Sequence, residues 1–338
     1  MKQWQIHKGL LSPVNVTWEV TRRCNLSCIH CLSGVRKGNG EDLTYDQCLH
    51  VIDELSSNQV FQVNFGGGEP FSREDFLSIL DDCHHRNLVT CISTNGTLLG
   101  DYVLDFLKER EMVYLQVSLD GGTSATNDSI RGMGTFKKIL KGMERLNKRG
   151  ILFSINMVLT RLSYPEISLL YSIAKDHGAK LRVSRFRPSG KGRDSWESLH
   201  LEKKDLKAFS EWLSHHKDVV TGDSFFSLED EDREGLGLNL CGAAKFTCCI
   251  DPEGAVYPCA FLQDSCFYGG NILNQPLSDI WSHAHGFKLL RNLNVRSCES
   301  CFRFEFCHGG CPAVAYFIGK SLNVPDPECL VHCIQPVS

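Results

Sequence analysis

Six strand-like runs alternate with helical stretches over the first two thirds of the chain, and this alternation restricts the possible folds most. In the helical stretches apolar residues recur three or four positions apart, as on one face of a helix. Strands separated by helices pair in parallel through right-handed crossovers, which gives either an open sheet or a barrel. Six units fall short of a closed eightfold barrel. The strand-like runs are 14–20, 60–65, 88–93, 113–119, 151–159 and 181–186.

Short motifs predict where several of the helices begin and end. Three segments resemble capping boxes, in which a hydroxyl residue is followed three positions later by an acid or amide. Two glycines stand where helices are expected to end. These segments are Thr44 to Gln47, Ser72 to Asp75 and Ser163 to Glu166, and the glycines are Gly150 and Gly178.

Charge and hydropathy exclude several classes of function. The 36 Lys and Arg against 40 Asp and Glu give a net charge of −4, and no run of like charges suggests a nucleic-acid surface. No apolar stretch approaches the ~18 residues of a membrane span, and the first residues lack the apolar run of a secretory signal. Phosphate-loop and nucleophile-elbow motifs are absent, and the 13 histidines show no metal-binding spacing, so we expect them at the surface or in the core. We expect a cytoplasmic protein without a membrane or nucleic-acid partner.

The 17 cysteines are unusual for such a chain and divide it in two. Only six lie in residues 1–235, while the other 11 lie in residues 236–338, after an acidic, glycine-containing segment near 229–237. Disulfides are rare in a reducing compartment, so these thiols are better explained as metal ligands. We therefore expect two domains, 1–235 and 236–338.

The first cysteine group, Cys24, Cys28 and Cys31, follows the first predicted strand directly. A structural zinc site requires four ligands, usually in two separated pairs. A four-iron, four-sulfur cluster held by only three thiolates instead leaves one iron open to an external ligand. Zinc or a cluster of reactive thiols is the alternative.

A glycine-rich segment, Gly66-Gly67-Gly68-Glu69-Pro70, follows the second predicted strand. Glycines allow a ligand to approach the backbone closely, and carbonyl groups together with a carboxylate can accept hydrogen bonds from an ammonium group. A glycine triplet alone is more often a turn, so its significance depends on the cysteine loop beside it.

Together these two motifs resemble the radical S-adenosylmethionine (SAM) superfamily. The resemblance implies a partial (β/α)6 TIM-like barrel, with SAM bound near Gly67, Gly68 and Glu69. In that family further strand ends face SAM or the substrate, and they correspond here to Ser93, Asn95, Ser118 and Arg185. For each of these four, an ordinary turn or a salt bridge to a neighbouring loop is an equally good explanation.

The later cysteines resemble the SPASM extension of peptide-modifying radical SAM enzymes, a small cysteine-rich domain that carries two auxiliary four-iron clusters. That resemblance, with the first loop, implies three four-iron, four-sulfur clusters. Cys249 competes with Cys248, and Cys333 with Cys329, and the sequence settles neither. The first auxiliary set is Cys241, Cys248, Cys259 and Cys311, and the second is Cys298, Cys301, Cys307 and Cys329.

Nearly the whole chain is similar to the mycofactocin radical SAM maturases, on blocks 15–21, 28–33, 63–70, 187–190, 221–226 and 325–329. The resemblance implies oxidative removal of the carboxylate of a C-terminal Tyr from a small precursor peptide, and then a carbon–carbon bond between Val and Tyr. A low-potential electron donor is implied as well. Ala260 replaces the aspartate that sulfatase maturases carry at this position, which disfavours formylglycine formation. Thioether-forming and tungsten-enzyme maturases stay open as alternatives.

Only about 13 residues precede the first predicted strand, too few for an appended peptide-recognition domain, since domains need at least about 50 residues. We therefore expect a separate peptide-binding chaperone, and little processing of the precursor without it.

Metal analysis of the anaerobically purified protein separates the cluster hypothesis from a zinc-binding or electron-transfer module. We expect about twelve irons per chain, four for each of three clusters. Two to four zinc ions and little iron would instead favour a non-catalytic module.

Overall fold

The computed structural model describes residues 10–33, 41–110, 112–221 and 241–331. Its strands are β1 Asn15–Thr21, β2 Gln62–Gly67, β3 Val89–Thr94, β4 Val113–Ser118, β5 Phe153–Leu159, β6 Lys180–Arg185, β7 Val220–Thr221, β8 Thr247–Ile250, β9 Ala255–Tyr257 and β10 Gly270–Asn271. Its helices are α1 Tyr45–Ser57, α2 Phe76–His85, α3 Asp101–Lys108, α4 Ser124–Arg131, α5 Thr135–Lys148, α6 Ile167–Asp176, α7 Trp196–Leu199, α8 Lys203–Ser214, α9 Leu277–His283, α10 His285–Arg291, α11 Phe304–Cys307 and α12 Pro312–Phe317.

The strands form one sheet in the order β10-β9-β8-β1-β2-β3-β4-β5-β6-β7. From β1 to β7 each strand pairs in parallel with the next one along the chain. The predicted α/β fold with six parallel strand–helix units is therefore confirmed, and all six predicted strands are present. The short β7 was not predicted. Thr221 is its last residue, and the rest of the 221–226 block lies outside the described residues.

The two faces of the sheet differ in polarity. In β5, Phe153, Ile155 and Met157 are buried, while the alternate positions Ser154 and Asn156 are only half-buried. The buried set packs against the helices, as strands covered on one face by helices require. The polar set faces the other side, and the strand ends carry the candidate site.

The cysteine-rich segment extends the same sheet rather than folding apart from it. β8 adds in parallel to the free edge of β1, and β9 and β10 follow as antiparallel strands. Apolar residues of this segment, including Ile250 and Trp281, belong to the same buried cluster as Trp18 and Phe65. The predicted boundary at residues 235 and 236, with its acidic linker, lies outside the described residues, so the division into two domains stays a proposal.

Local capping explains some helix ends and not others. Thr44 and Gln47 form the predicted capping box before α1, and Gly150 and Gly178 adopt positive φ after α5 and α6, as predicted. The other two predicted boxes are wrong. No side chain caps α2, and the Ser163 hydroxyl bonds the carbonyl of Val158. Glu166 instead accepts hydrogen bonds from Thr123 and Thr126 at the start of α4.

Within the described residues, the structure contains no helix with the length and apolar character needed to cross a bilayer.

Candidate active site

The first cysteine loop follows β1, and its three thiols lie close enough to influence one another. Burial raises the pKa of Cys24, Cys28 and Cys31, and neighbouring thiols of the same loop add to this effect. Such thiols keep their protons until a metal replaces them. The loop therefore offers three ligands of one type on one side of the barrel, as the cluster hypothesis requires.

The glycine-rich turn after β2 fastens this cysteine loop through its backbone. The Gly68 N–H donates to the Thr21 carbonyl at 2.7 Å, and the Glu69 N–H donates to the Arg23 carbonyl at 2.8 Å. A Cβ on Gly68 would lie 2.0 Å from the Arg23 oxygen, and one on Gly67 would lie 2.6 Å from the Thr21 oxygen. Both glycines are thus required by the approach of two backbones.

Gly66 differs from its two neighbours, because a Cβ there would meet nothing within 4 Å. The open side of the turn is therefore at Gly66. Among the three glycines, this is the one beside which a bound molecule has room. The predicted contacts of SAM with Gly67 and Gly68 stay predictions. Any such contact would have to be made by the carbonyl groups of these two glycines.

Glu69 is buried, with its side chain turned toward the end of β3. Its carboxylate accepts from the Thr94 hydroxyl at 2.8 Å, from the Asn95 N–H at 2.7 Å and from the Phe71 N–H at 3.3 Å. Burial raises its pKa to about 7, although these hydrogen bonds act in the opposite direction. The carboxylate thus fixes the β3 turn, and a contact with the SAM ammonium stays a prediction.

Of the other predicted SAM contacts, three lie on the polar face at the ends of β3 and β4. The Asn95 side chain donates to Asn25 of the cysteine loop at 2.9 Å, so it positions that loop. The Ser93 hydroxyl donates to Gln116 at 3.4 Å. Ser118 pairs in register with Asn156 on β5. The structure brings these residues to the same edge as Gly66, which is compatible with the predicted SAM site.

A buried charged group lies beneath the cysteine loop. Asp120, just after β4, contacts Arg131 Nε at 2.6 Å and His30 Nε2 at 2.8 Å, and it accepts from the Val158 N–H at 2.7 Å. Burial alone would raise the pKa of Asp120, but Arg131 and His30 hold it well below its usual range. The Arg131 guanidinium also lies 4.0 Å from Cys28 Sγ.

These contacts join the cysteine loop to α4 and β5 through one carboxylate. His30 lies between Cys28 and Cys31 in the sequence, and the general expectation of surface or core histidines did not include this contact. The Asp-Gly pair at a strand end was the available signal, but such pairs are common in turns.

Arg185, predicted to contact SAM, has other partners. Its guanidinium forms two bonds of 2.7 Å with the carboxylate of Asp326 and also contacts Glu328. All three side chains are buried. The salt bridge to a neighbouring loop, the alternative considered for this residue, is therefore what the structure contains. Asp326 in turn accepts from the Cys311 N–H at 3.0 Å, so Arg185 connects β6 to the cysteine-rich segment.

Four cysteines of the cysteine-rich segment line one cavity of about 330 Å³, a volume that includes its part open to solvent. Burial raises the pKa of the Cys298 and Cys307 thiols, and Cys329 adds to this effect in both cases. The lining cysteines are Cys298, Cys301, Cys307 and Cys329, which is the predicted second auxiliary set. The donor set and the cavity fit a four-iron cluster.

The first auxiliary set is brought together in part. Cys241, Cys259 and Cys311 influence one another electrostatically, and burial raises the pKa of Cys241 and Cys259. Cys248 is placed elsewhere, because it lies in the apolar core and the charged group acting on its thiol is Arg291. Its neighbour Cys249 interacts with Cys259. The alternation of side chains along β8 thus favours Cys249 over the predicted Cys248. Cys333 lies outside the described residues, so its competition with Cys329 is not tested.

Among the described residues, no three Cys, His, Asp or Glu side chains converge tightly enough for a single metal ion.

Comparison with known proteins identifies two family matches within this chain. The sequence model of the radical SAM superfamily matches residues 18–167, and that of SPASM, an iron–sulfur cluster-binding domain, matches residues 241–302. Mycofactocin maturase MftC of Mycolicibacterium smegmatis is 40% identical over 332 residues, which cover 96% of this chain and 85% of that protein. AdoMet-dependent heme synthase of Methanosarcina barkeri is 30% identical over 344 residues, which cover 94% and 97% respectively.

The fold is also found among solved structures. The crystal structure of Streptococcus suis SuiB bound to precursor peptide SuiA superposes with a TM-score of 0.81 at 20% identity, covering 97% of this chain and 78% of SuiB. This likeness supports the barrel with its cysteine-rich extension as one architecture.

Substitution of Gly68 tests whether the two backbone hydrogen bonds between the glycine-rich turn and the end of β1 position the cysteine loop. Gly68→Ala places a methyl group against the Arg23 carbonyl, and we expect a destabilisation of ~1–3 kcal/mol and loss of about four irons, those of the first cluster. Gly66→Ala is the matched control, since its methyl group meets open space. Iron analysis and thermal unfolding measure both effects. Equal iron content and equal thermal stability of the two variants would show that these backbone hydrogen bonds do not position the loop.

Replacing Arg185 tests the connection to the cysteine-rich segment. Arg185→Met leaves two buried carboxylates without their cation, a loss of ~3–5 kcal/mol. We expect iron of the auxiliary groups to fall while the first cluster is kept, as followed by iron analysis and electron paramagnetic resonance. Arg161→Met, at an exposed arginine, serves as control. Full iron content in Arg185→Met would contradict the role.

Proposed function

Since this chain belongs to the SPASM-containing branch of the radical SAM superfamily that includes the mycofactocin maturases, we propose that it modifies the C terminus of a ribosomally made precursor peptide. The proposed reaction removes the carboxylate of a C-terminal Tyr oxidatively and then joins Val and Tyr by a carbon–carbon bond. The observation that carries this proposal is the 40% identity to a mycofactocin maturase, which extends over nearly the whole chain.

The first site holds a cluster on Cys24, Cys28 and Cys31 and SAM beside Gly66. When bound, this pair supplies a 5′-deoxyadenosyl radical that abstracts hydrogen, chemistry that belongs to the cofactor. The chain's own task is to fix the geometry in which radical and substrate C–H bond meet. Glu69 and Asn95 do this for the turns around SAM, and Asp120 does it for the cysteine loop.

We assign the two later cysteine groups to auxiliary clusters that accept electrons in the oxidative step, which brings the proposed total to three four-iron, four-sulfur clusters. The ligands proposed are Cys298, Cys301, Cys307 and Cys329 for one, and Cys241, Cys249, Cys259 and Cys311 for the other. The shared cavity of the first set and the mutual electrostatic influence within the second support this assignment.

A separate peptide-binding chaperone and a low-potential electron donor complete the proposed system. A reducing compartment such as the cytoplasm suits free thiols and clusters of this number.

A haem-related substrate is the second candidate, because the heme synthase of Methanosarcina barkeri is 30% identical over 94% of this chain. The higher identity to the mycofactocin maturase favours the peptide.

The proposal is tested by anaerobic incubation of the reconstituted enzyme with SAM, a reductant, a Val-Tyr-terminated precursor and its chaperone. We expect the peptide to lose carbon dioxide and two hydrogens as 5′-deoxyadenosine accumulates, and to cyclise in a later step without further loss of mass. Mass spectrometry follows both products. Omission of the chaperone should leave most peptide unchanged. An unchanged peptide in the complete mixture, with conversion of an iron porphyrin supplied instead, would favour the second candidate.

A further inference from the structure

The polar face of the parallel strands is rich in neutral hydrogen-bonding side chains. Asn64, Ser93, Gln116, Asn156 and Ser184 occupy alternate strand positions on this face, between apolar residues that pack against the helices. Several of them pair with one another, as when the Ser184 hydroxyl donates to Asn156 at 2.8 Å. These side chains form hydrogen bonds within the polar face, and the five of them carry no net charge.

Arg182, unlike these five residues, is charged. It is half-buried on β6 between the fully buried Leu181 and Val183. Among residues 10–33, 41–110, 112–221 and 241–331, the side chain of Arg182 makes no hydrogen bond and no ion pair. The buried Arg131 and Arg185, by contrast, each have carboxylate partners.

The electrostatic neighbours of Arg182 locate its guanidinium group. One is Cys91 on β3, a strand that is separated from β6 by β4 and β5 in the sheet. An interaction across that separation requires the concave interior, so the side chain extends into the barrel. The other is Arg187, a like charge just beyond the end of β6.

Burial of Arg182 and the nearby Arg187 both lower its pKa. An arginine nevertheless stays charged in a protein. A cation held away from bulk water without an anion is costly, so a partly buried guanidinium without a protein partner is a natural site for an anionic ligand.

We infer that Arg182 binds the C-terminal carboxylate of the peptide substrate inside the barrel. A guanidinium recognises a carboxylate through two parallel hydrogen bonds, which fixes the orientation of the ligand as well as its position. The inference rests on the proposed function, whose substrate ends in a free tyrosine carboxylate. The carboxylate of SAM has the same chemistry, and the affinity of each variant for SAM distinguishes the two ligands.

The test compares Arg182→Met, Arg182→Lys and the matched control Lys180→Met, which removes an exposed cation two residues away on the same strand. The probes are N-acetyl-Val-Tyr as free acid, the same dipeptide as C-terminal amide, and SAM. Calorimetry on each cluster-loaded variant gives the three affinities, and iron content verifies that the variants are folded and loaded.

We expect the wild type to prefer the acid over the amide, and Arg182→Met to lose about 10- to 100-fold in affinity for the acid, the usual value of a hydrogen-bonded charge pair. Its affinity for the amide and for SAM should not change. Arg182→Lys should keep part of the preference, because it retains the charge without the two-pronged geometry. Lys180→Met should match the wild type.

Three results would overturn the inference. These are the absence of an acid-over-amide preference in the wild type, an unchanged preference in Arg182→Met, and a loss of SAM affinity in place of acid affinity. The outcome is separable from that of the proposed function. Processing of the precursor with an unchanged preference in Arg182→Met refutes only the carboxylate site, whereas the expected affinities without processing refute only the reaction.

Discussion

Two backbone hydrogen bonds between the end of β1 and the turn after β2 define the geometry on which the rest of the site depends. They bring Gly68 and Glu69 so close to Thr21 and Arg23 that no side chain fits at Gly68. The cysteine loop begins at the next residue, so its direction is set by this contact. The neighbouring Gly66 leaves open space beside the loop, and a reactive centre and its small-molecule partner can therefore be adjacent.

Buried ion pairs connect the remaining parts of the site to this contact between β1 and the turn after β2. Asp120 holds the cysteine loop to α4 and β5, and Arg185 holds the loop around Asp326 to β6. In each of these groups every buried carboxylate contacts a guanidinium group, as burial requires. Buried ion pairs of this kind hold the segments around the site in place. This suits radical chemistry, in which the bound reactants must be held within reach of each other and shielded from water. Arg182 departs from this pattern, and that departure is the reason to assign it a ligand.

The sequence predicted the features that are encoded locally. The six strands follow from alternation of apolar residues and the first cysteine group follows from its spacing, so both could be predicted without the structure. The two later cysteine groups were implied by the resemblance to the SPASM extension. Contacts between distant segments could not be predicted from the sequence. The strand β8 pairs with β1 although more than half of the chain separates them. His30 contacts Asp120 although His30 follows β1 and Asp120 follows β4. For Cys248 and Cys249, spacing was ambiguous, and the alternation of side chains along β8 favours Cys249.

We propose that this site directs a radical to the tyrosine at the end of a peptide. A precursor with deuterium only at the tyrosine Cβ, incubated with the complete enzyme system, shows where the radical acts. We expect deuterium to appear in 5′-deoxyadenosine as the peptide loses its carboxylate. Formation of the modified peptide together with 5′-deoxyadenosine free of deuterium would show that the radical acts elsewhere.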